Sequence, residues 1–160
     1  MAFILSAERM ASVGAARECF IRYREYLRET RDRFPESAYE LASSDWYFAI
    51  DERRSPHDSR LRELRLQEVE AESGPRAVSL TVRLLNAWRD HFLDFSYPNV
   101  VGYSLGLTTG GSGHRDWRYD EFRLAEDGNV VHEIEWAGPT STGHWQIVAS
   151  DVRLSVVPIV

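Results

Sequence analysis

The sequence predicts an α+β fold: a long N-terminal amphipathic helix, with a short second helix, packed on a mostly antiparallel sheet of about six strands. Three observations lead there. The first 42 residues carry apolar side chains at spacings near three and four, and after residue 57 the spacing shortens to two. Helical and extended segments are segregated along the chain instead of alternating, which disfavours a parallel βαβ sheet. No repeat, linker or low-complexity segment interrupts the 160 residues, so one domain is expected, helical over 6–42 and β-rich over 57–160.

Ser6 to Arg33 reads as a single helix. Met10, Val13, Phe20, Tyr23, Leu27 and Phe34 make its apolar stripe, and Glu18–Arg22 and Glu29–Arg33 are i,i+4 pairs in the favourable order. Pro35 stops it, and ESAYELA makes the short second helix. Trp46, Tyr47 and Phe48 are expected to anchor the helical layer on the sheet, and Ser55-Pro56 marks a break. RLRELRLQEVE fits either period. AVSLTVRL alternates, with Val78, Leu80, Val82 and Leu84 on one face, and DHFLDFSY places His91, Leu93, Phe95 and Tyr97 together. Pro98-Asn99 is a turn, and VVGYSLGL sets Val101, Tyr103 and Leu105 on one side. WRYDEFRL, VVHEIEW and HWQIVASDVRLSVV complete the sheet.

The stretch from Gly110 to Trp136 is the densest in chemistry. Leu124 and Val130 bracket AEDGN, where Gly128 suits the left-handed position of a three-residue hairpin loop, Glu126-Asp127-Gly128. That register pairs Leu124 with Val130, Phe122 with His132, Asp120 with Ile134 and Arg118 with Trp136. It turns Asp120 and His132 inward with the apolar residues, as diagonal neighbours within side-chain reach. Tyr119, Glu121, Arg123, Glu133 and Glu135 go outward, with Glu121 opposite Glu133, an unfavourable pair that the neighbouring Arg123 can relieve.

Composition removes several function classes. All 19 basic residues are arginine, so chemistry that needs a lysine, such as a P-loop or a Schiff base, has none. The net charge of −6 argues against direct nucleic-acid binding, which rests on cationic neutralisation of phosphates. The single cysteine, Cys19, excludes an intramolecular disulfide and a Cys-only zinc site. No apolar run has the length of a membrane span. The opening MAFIL lacks a basic segment before it and is broken by SAER, so a cytoplasmic protein is expected.

Two catalytic patterns are present in part. Gly102-Tyr103-Ser104-Leu105-Gly106 matches the nucleophile-elbow spacing, with Asp120 and then His132 or His144 following in hydrolase order. LTTGGSGHRDW after it is a poor helix, however, and the strand–helix alternation of that fold is absent. His114, Asp116 and His144 are of metal-ligand type, but no H-E-x-x-H spacing supports them. The glycine-rich TTGGSG lacks the helix and lysine of a phosphate cradle. No cofactor is therefore expected. What remains is an acidic, aromatic surface made of Trp117, Arg118, Tyr119, Glu121, Arg123, Glu133 and Glu135, with the anchors and charge typical of a protein interface.

The layout across about residues 55–155, with HDSRLRELRLQ, then YPNVVGYSLG, DWRYDEFRL and HEIEW, resembles small bacterial β-rich proteins of the polymorphic-toxin immunity type. The resemblance implies a cytoplasmic inhibitor that binds a cognate toxin and blocks its active site. The acidic charge suits a basic toxin. The expectation is thus a non-enzymatic protein-binding module, an immunity protein acting through the acidic hairpin. The alternatives are a small hydrolase using Ser104 or a His/Asp metal site, and a subunit protein pairing through the apolar tail Val156 to Val160.

Overall fold

The computed structural model describes residues 1–70, 74–107, 113–137 and 142–159. Among the described residues there are eight strands rather than about six: β1 Arg60–Val69, β2 Ala77–Leu85, β3 His91–Tyr97, β4 Val100–Leu105, β5 Asp116–Leu124, β6 Val130–Ala137, β7 Thr142–Ala149 and β8 Arg153–Pro158. Two segments account for the difference. RLRELRLQEV, ambiguous in period, is a strand along its whole length. HWQIVASDVRLSVV is not one strand, because Asp151 breaks it. The Asp151 carboxylate accepts from the Val152 N–H (2.8 Å) and from the Ala38 N–H (3.1 Å), which takes the chain out of one ladder and into another.

Every ladder is antiparallel, in the order β4-β7-β6-β5-β1-β2-β3-β8. The junction between β5 and β1 is a single residue pair, Arg60 with Asp116. The sheet is therefore two four-stranded halves hinged at one corner, and the halves face each other. Phe95 of β3 stacks on Trp117 of β5 (centroids 5.2 Å apart), and Tyr97 of β3 bonds to His132 of β6. Alternation along β2, β3 and β6 delivers Leu80, Val82, Leu84, Leu93, Phe95, Ile134 and Trp136 to the space between them.

Two helices close the open side, α1 Val13–Thr30 and α2 Glu36–Ser43. The expected single helix from Ser6 is divided. Residues Ala7–Met10 form a 3-10 turn, Ser12 is extended, and its hydroxyl caps the new helix by accepting from the Ala15 N–H at 3.0 Å. Met10 and Val13 consequently stay exposed, and the buried stripe of α1 is Cys19, Tyr23 and Leu27. No described helix is long and apolar enough to cross a membrane.

The edge of β5 that leaves β1 is covered by α1. The Tyr23 hydroxyl accepts from the Phe122 N–H (2.8 Å) and donates to the Phe122 carbonyl (3.0 Å). The Tyr26 hydroxyl accepts from the Leu124 N–H (2.8 Å). Two tyrosines thus stand where a neighbouring strand would be, which meets the need of backbone groups for partners. Tyr47 is buried, with Trp46 and Phe48 packed partly against the same core. The side expected for β4 is not buried. A bulge between Val100 and Gly102 turns Val100 inward and leaves Val101 and Tyr103 exposed on an edge strand.

Candidate functional site

The 5–6 hairpin forms about Gly128, whose φ of 85° is the left-handed conformation the three-residue loop requires. Leu124 pairs with Val130, Phe122 with His132 and Asp120 with Ile134. The last expected pair differs: Trp117, not Arg118, lies opposite Trp136, because a bulge makes Arg118 the extra residue. Arg118 swings outward to Asp58 (2.7 Å), while the backbone of Trp117 bonds to Ser59 and Asp58 and its ring turns into the core.

Inside the halves, Asp120 and His132 meet. The Asp120 Oδ2 accepts from His132 Nε2 (2.8 Å) and from the Tyr47 hydroxyl (2.6 Å), and Oδ1 accepts from Trp117 Nε1 (2.9 Å). His132 Nδ1 lies 2.9 Å from the Tyr97 hydroxyl. Burial, and then the Asp120 charge, hold the Tyr47 and Tyr97 hydroxyls well above their usual pKa, so both keep their protons and donate. With Tyr97 donating to Nδ1, His132 carries its proton on Nε2 and gives that hydrogen bond to Asp120. Each polar side-chain atom of the cluster then has a partner. The Phe122 ring stacks on His132 at 4.0 Å.

An acid that orients a histidine, which in turn meets a hydroxyl, has the connectivity of a proton relay. Here all five members are at most 2% exposed. Ser104, the hydrolase candidate, is opposite Gln146 on the outer face of β4 and β7, while His132, opposite Ile147, faces inward. The sheet stands between them. His114 packs tilted against Trp136 and edge-on to Trp145, and burial lowers its pKa. Asp116 pairs with Arg60, and His144 is exposed on the outer face. Among the described residues no three His, Cys, Asp or Glu side chains gather as a metal-binding group. His57 lies beside Asp58 and Tyr119, and His91 beside Asp90; neither bonds to His132. Residues 108–112 of the glycine-rich segment lie outside the described residues.

The acidic outer strip is clasped by the N-terminal segment. Glu121, fully buried, accepts from the Phe3 and Leu5 N–H groups at 3.0 and 3.1 Å and pairs with Arg123. Arg123 also pairs with Glu133, which accepts from Gln146 (3.0 Å). Arg9 binds both oxygens of Glu135 (2.8 and 2.9 Å), donates to the Ile4 carbonyl, and lies over the Tyr119 ring. The seven side chains expected on one open face are therefore divided: Trp117 and Glu121 are buried, Tyr119, Arg123 and Glu135 lie beneath or beside the segment, and Arg118 and Glu133 are more open. Tyr47, Tyr97 and Arg9 were missed. The signal for the tyrosines was that an inward His132 needs a second partner for its ring; nothing local said which residue supplies it.

Burial raises the Glu121 carboxyl above its ordinary range, against the lowering by the Leu5 and Phe3 amides and Arg123. The folded chain therefore holds this proton more tightly than the unfolded chain, and the associated stability is full below the unfolded pKa and is lost as pH rises through the folded one. Wild type should gain stability relative to Glu121→Gln as pH falls from neutral toward 4.5, the ordinary carboxyl value. Urea midpoints across that range give the result; a constant difference would count against it.

Beside the clasp is a cleft of about 370 Å³ lined by Ala2, Leu5, Ser104, Glu133, His144 and Gln146, with Trp145 at its floor. No protein-family model matches the chain, and neither the curated proteins nor the solved structures yield a match.

Proposed function

We propose that the protein is a non-catalytic binding module whose partner is a basic protein. The observation that carries this reading is the sealed Asp120–His132–Tyr97 cluster: the pair most suited to acid–base work is spent on holding the two half-sheets together. The outer face of β6, β7 and β4 has the features of an interface instead, with Ser104, Glu133, His144 and Gln146 lining one cleft. The net charge of −6 favours a cationic partner and fast, oriented encounter. The resemblance to immunity proteins gives the finer reading, an inhibitor that covers a basic toxin.

The test is capture of partners from source-cell lysate, identification by mass spectrometry, and calorimetry with the purified partner. A basic protein is expected, bound more weakly at high salt and at least tenfold more weakly by Glu133→Arg. If that partner is a toxin, co-expression of this chain should restore growth. Turnover of a small molecule with no specific protein partner would overturn the reading.

A further inference from the structure

We infer that the protein pairs with a second copy of itself through β1, edge to edge and antiparallel, centred on Leu64. β1 is fully laddered to β2 on one side, but on the other it meets β5 only at Arg60. Beyond that point β5 diverges under the tyrosine hydroxyls of α1. From Leu61 to Val69 the outer edge of β1 has no hydrogen-bond partner among the described residues.

Among the described residues the other edges of the sheet are protected and this one is not. The β5 edge is covered by Tyr23 and Tyr26. β4 is short and bulged, and β8 lies against α2 and ends at Pro158, which has no N–H to give. β1 runs ten residues, and its one irregularity, the bulge at Arg62, is at its base. Leu64 and Leu66 lie opposite Val82 and Leu80, on the core side of the sheet, yet they are 39% and 47% exposed. Their strand extends past the layer that would cover them. A long edge of this kind, unpaired and carrying two exposed leucines, is a template for another strand.

Charge selects the occupant and the register. In an antiparallel pair, residues directly opposite share a face. With the two-fold axis at Leu64, Leu64 meets Leu64 of the second copy, Glu63 of each copy meets Arg65 of the other, and Leu66 lies diagonal to the second Leu64. Moving the axis to Arg65 sets arginine against arginine, and moving it to Glu63 sets glutamate against glutamate. An axis at Leu66 places Leu64 against Glu68 and leaves Glu63 and Arg65 without opposite charges, whereas the Leu64 axis keeps both ion pairs and sets only Leu66 against a charge, Arg62. The sequence is self-complementary in one register, as an isologous two-fold contact demands. Glu63 and Arg65 already pair within their own strand at 3.0 Å and are about half exposed, so they are in place for the second ion pair. This surface is separate from the β4–β7–β6 face, and it stands or falls independently of the partner proposed above.

Sedimentation velocity of the full chain over a concentration series tests the pairing. Wild type should show a monomer–dimer equilibrium. Glu63→Arg and Arg65→Glu alone should each weaken it at least tenfold, with circular dichroism unchanged, since both positions are at the surface. An equimolar mixture of the two variants should recover the dimer, because each acid then faces an arginine again. A second readout does not depend on those variants. Leu64→Cys should form an interchain disulfide with copper–phenanthroline as oxidant, since directly opposed strand residues have the Cα separation a disulfide needs, and Gln67→Cys should not. A monomer at every concentration, a dimer indifferent to both charge reversals, or a mixture that stays monomeric would overturn the inference. Dimerisation through the β8 tail falls under the second of these outcomes.

Discussion

Asp120→Ala should remove about 4 kcal/mol of stability, the largest loss expected from any single polar substitution in the chain. The substitution leaves the Tyr47 hydroxyl, Trp117 Nε1 and His132 Nε2 without an acceptor in a site closed to water. Each orphaned buried donor costs about 1–3 kcal/mol, and the three costs are not additive because they share one acceptor. Against a total stability of roughly 5–15 kcal/mol this is a large fraction of what holds the fold. Asp120→Asn should cost less, about 2 kcal/mol, because its carbonyl still accepts while its amide confronts another donor. His132→Phe should also cost about 2 kcal/mol: the ring keeps its stack on Phe122, but Tyr97 and Asp120 each lose a partner.

Guanidinium denaturation at pH 7 measures all three, and the double variant Asp120→Ala/His132→Phe should lose less than the sum of its parts. A loss below about 1 kcal/mol for Asp120→Ala would show that the cluster is not what joins the half-sheets. Retention of binding to a partner by folded His132→Phe would agree with a structural role. Loss of a measurable turnover in that variant would instead argue for chemistry.

What the sequence made legible follows from how local each cause is. The hairpin register was readable because alternation over Phe122, Leu124, Val130 and Ile134 allows only one face to be apolar, and because Gly128 marks the loop. The inward Asp120 and His132 followed from the same parity. The bulge at Arg118 did not, since Asp58, which Arg118 meets there, is sixty positions away in the chain. Tyr97 reaches His132 because β3 faces β6, and Tyr47 reaches Asp120 from the turn after α2, matters of topology that no local spacing records. The helix start is a different case. Met10 and Val13 extended the periodic stripe by chance, while Ser12, a good N-cap three residues before Ala15, was the more physical signal. The opposed acids Glu121 and Glu133 were readable as an anomaly, and the residues that resolve it, Phe3 and Leu5, lie far off in sequence.

Tyr23→Phe should cost about 3 kcal/mol, although it deletes one oxygen and leaves the ring packed against Phe3 and Phe48. That oxygen serves both backbone groups of Phe122, accepting at 2.8 Å and donating at 3.0 Å, where no described strand pairs with that side of β5. Burial keeps the hydroxyl protonated far above neutral pH, so the donor persists across the working range. Its removal strands one buried N–H and one buried C=O, at about 1–3 kcal/mol for each. Tyr26→Phe is the matched control. It removes a single bond, to Leu124, where the residue is only partly buried and water can take the place of the hydroxyl, so about 1 kcal/mol is expected. Hydrogen exchange separates an edge effect from a general loss of packing. In Tyr23→Phe the Phe122 amide should lose more protection than the amides of the β2–β3 ladder, because the opening is local to the β5 edge. Uniform loss across both half-sheets would assign the cost to packing, and an unchanged Phe122 amide would show that α1 does not seal that edge.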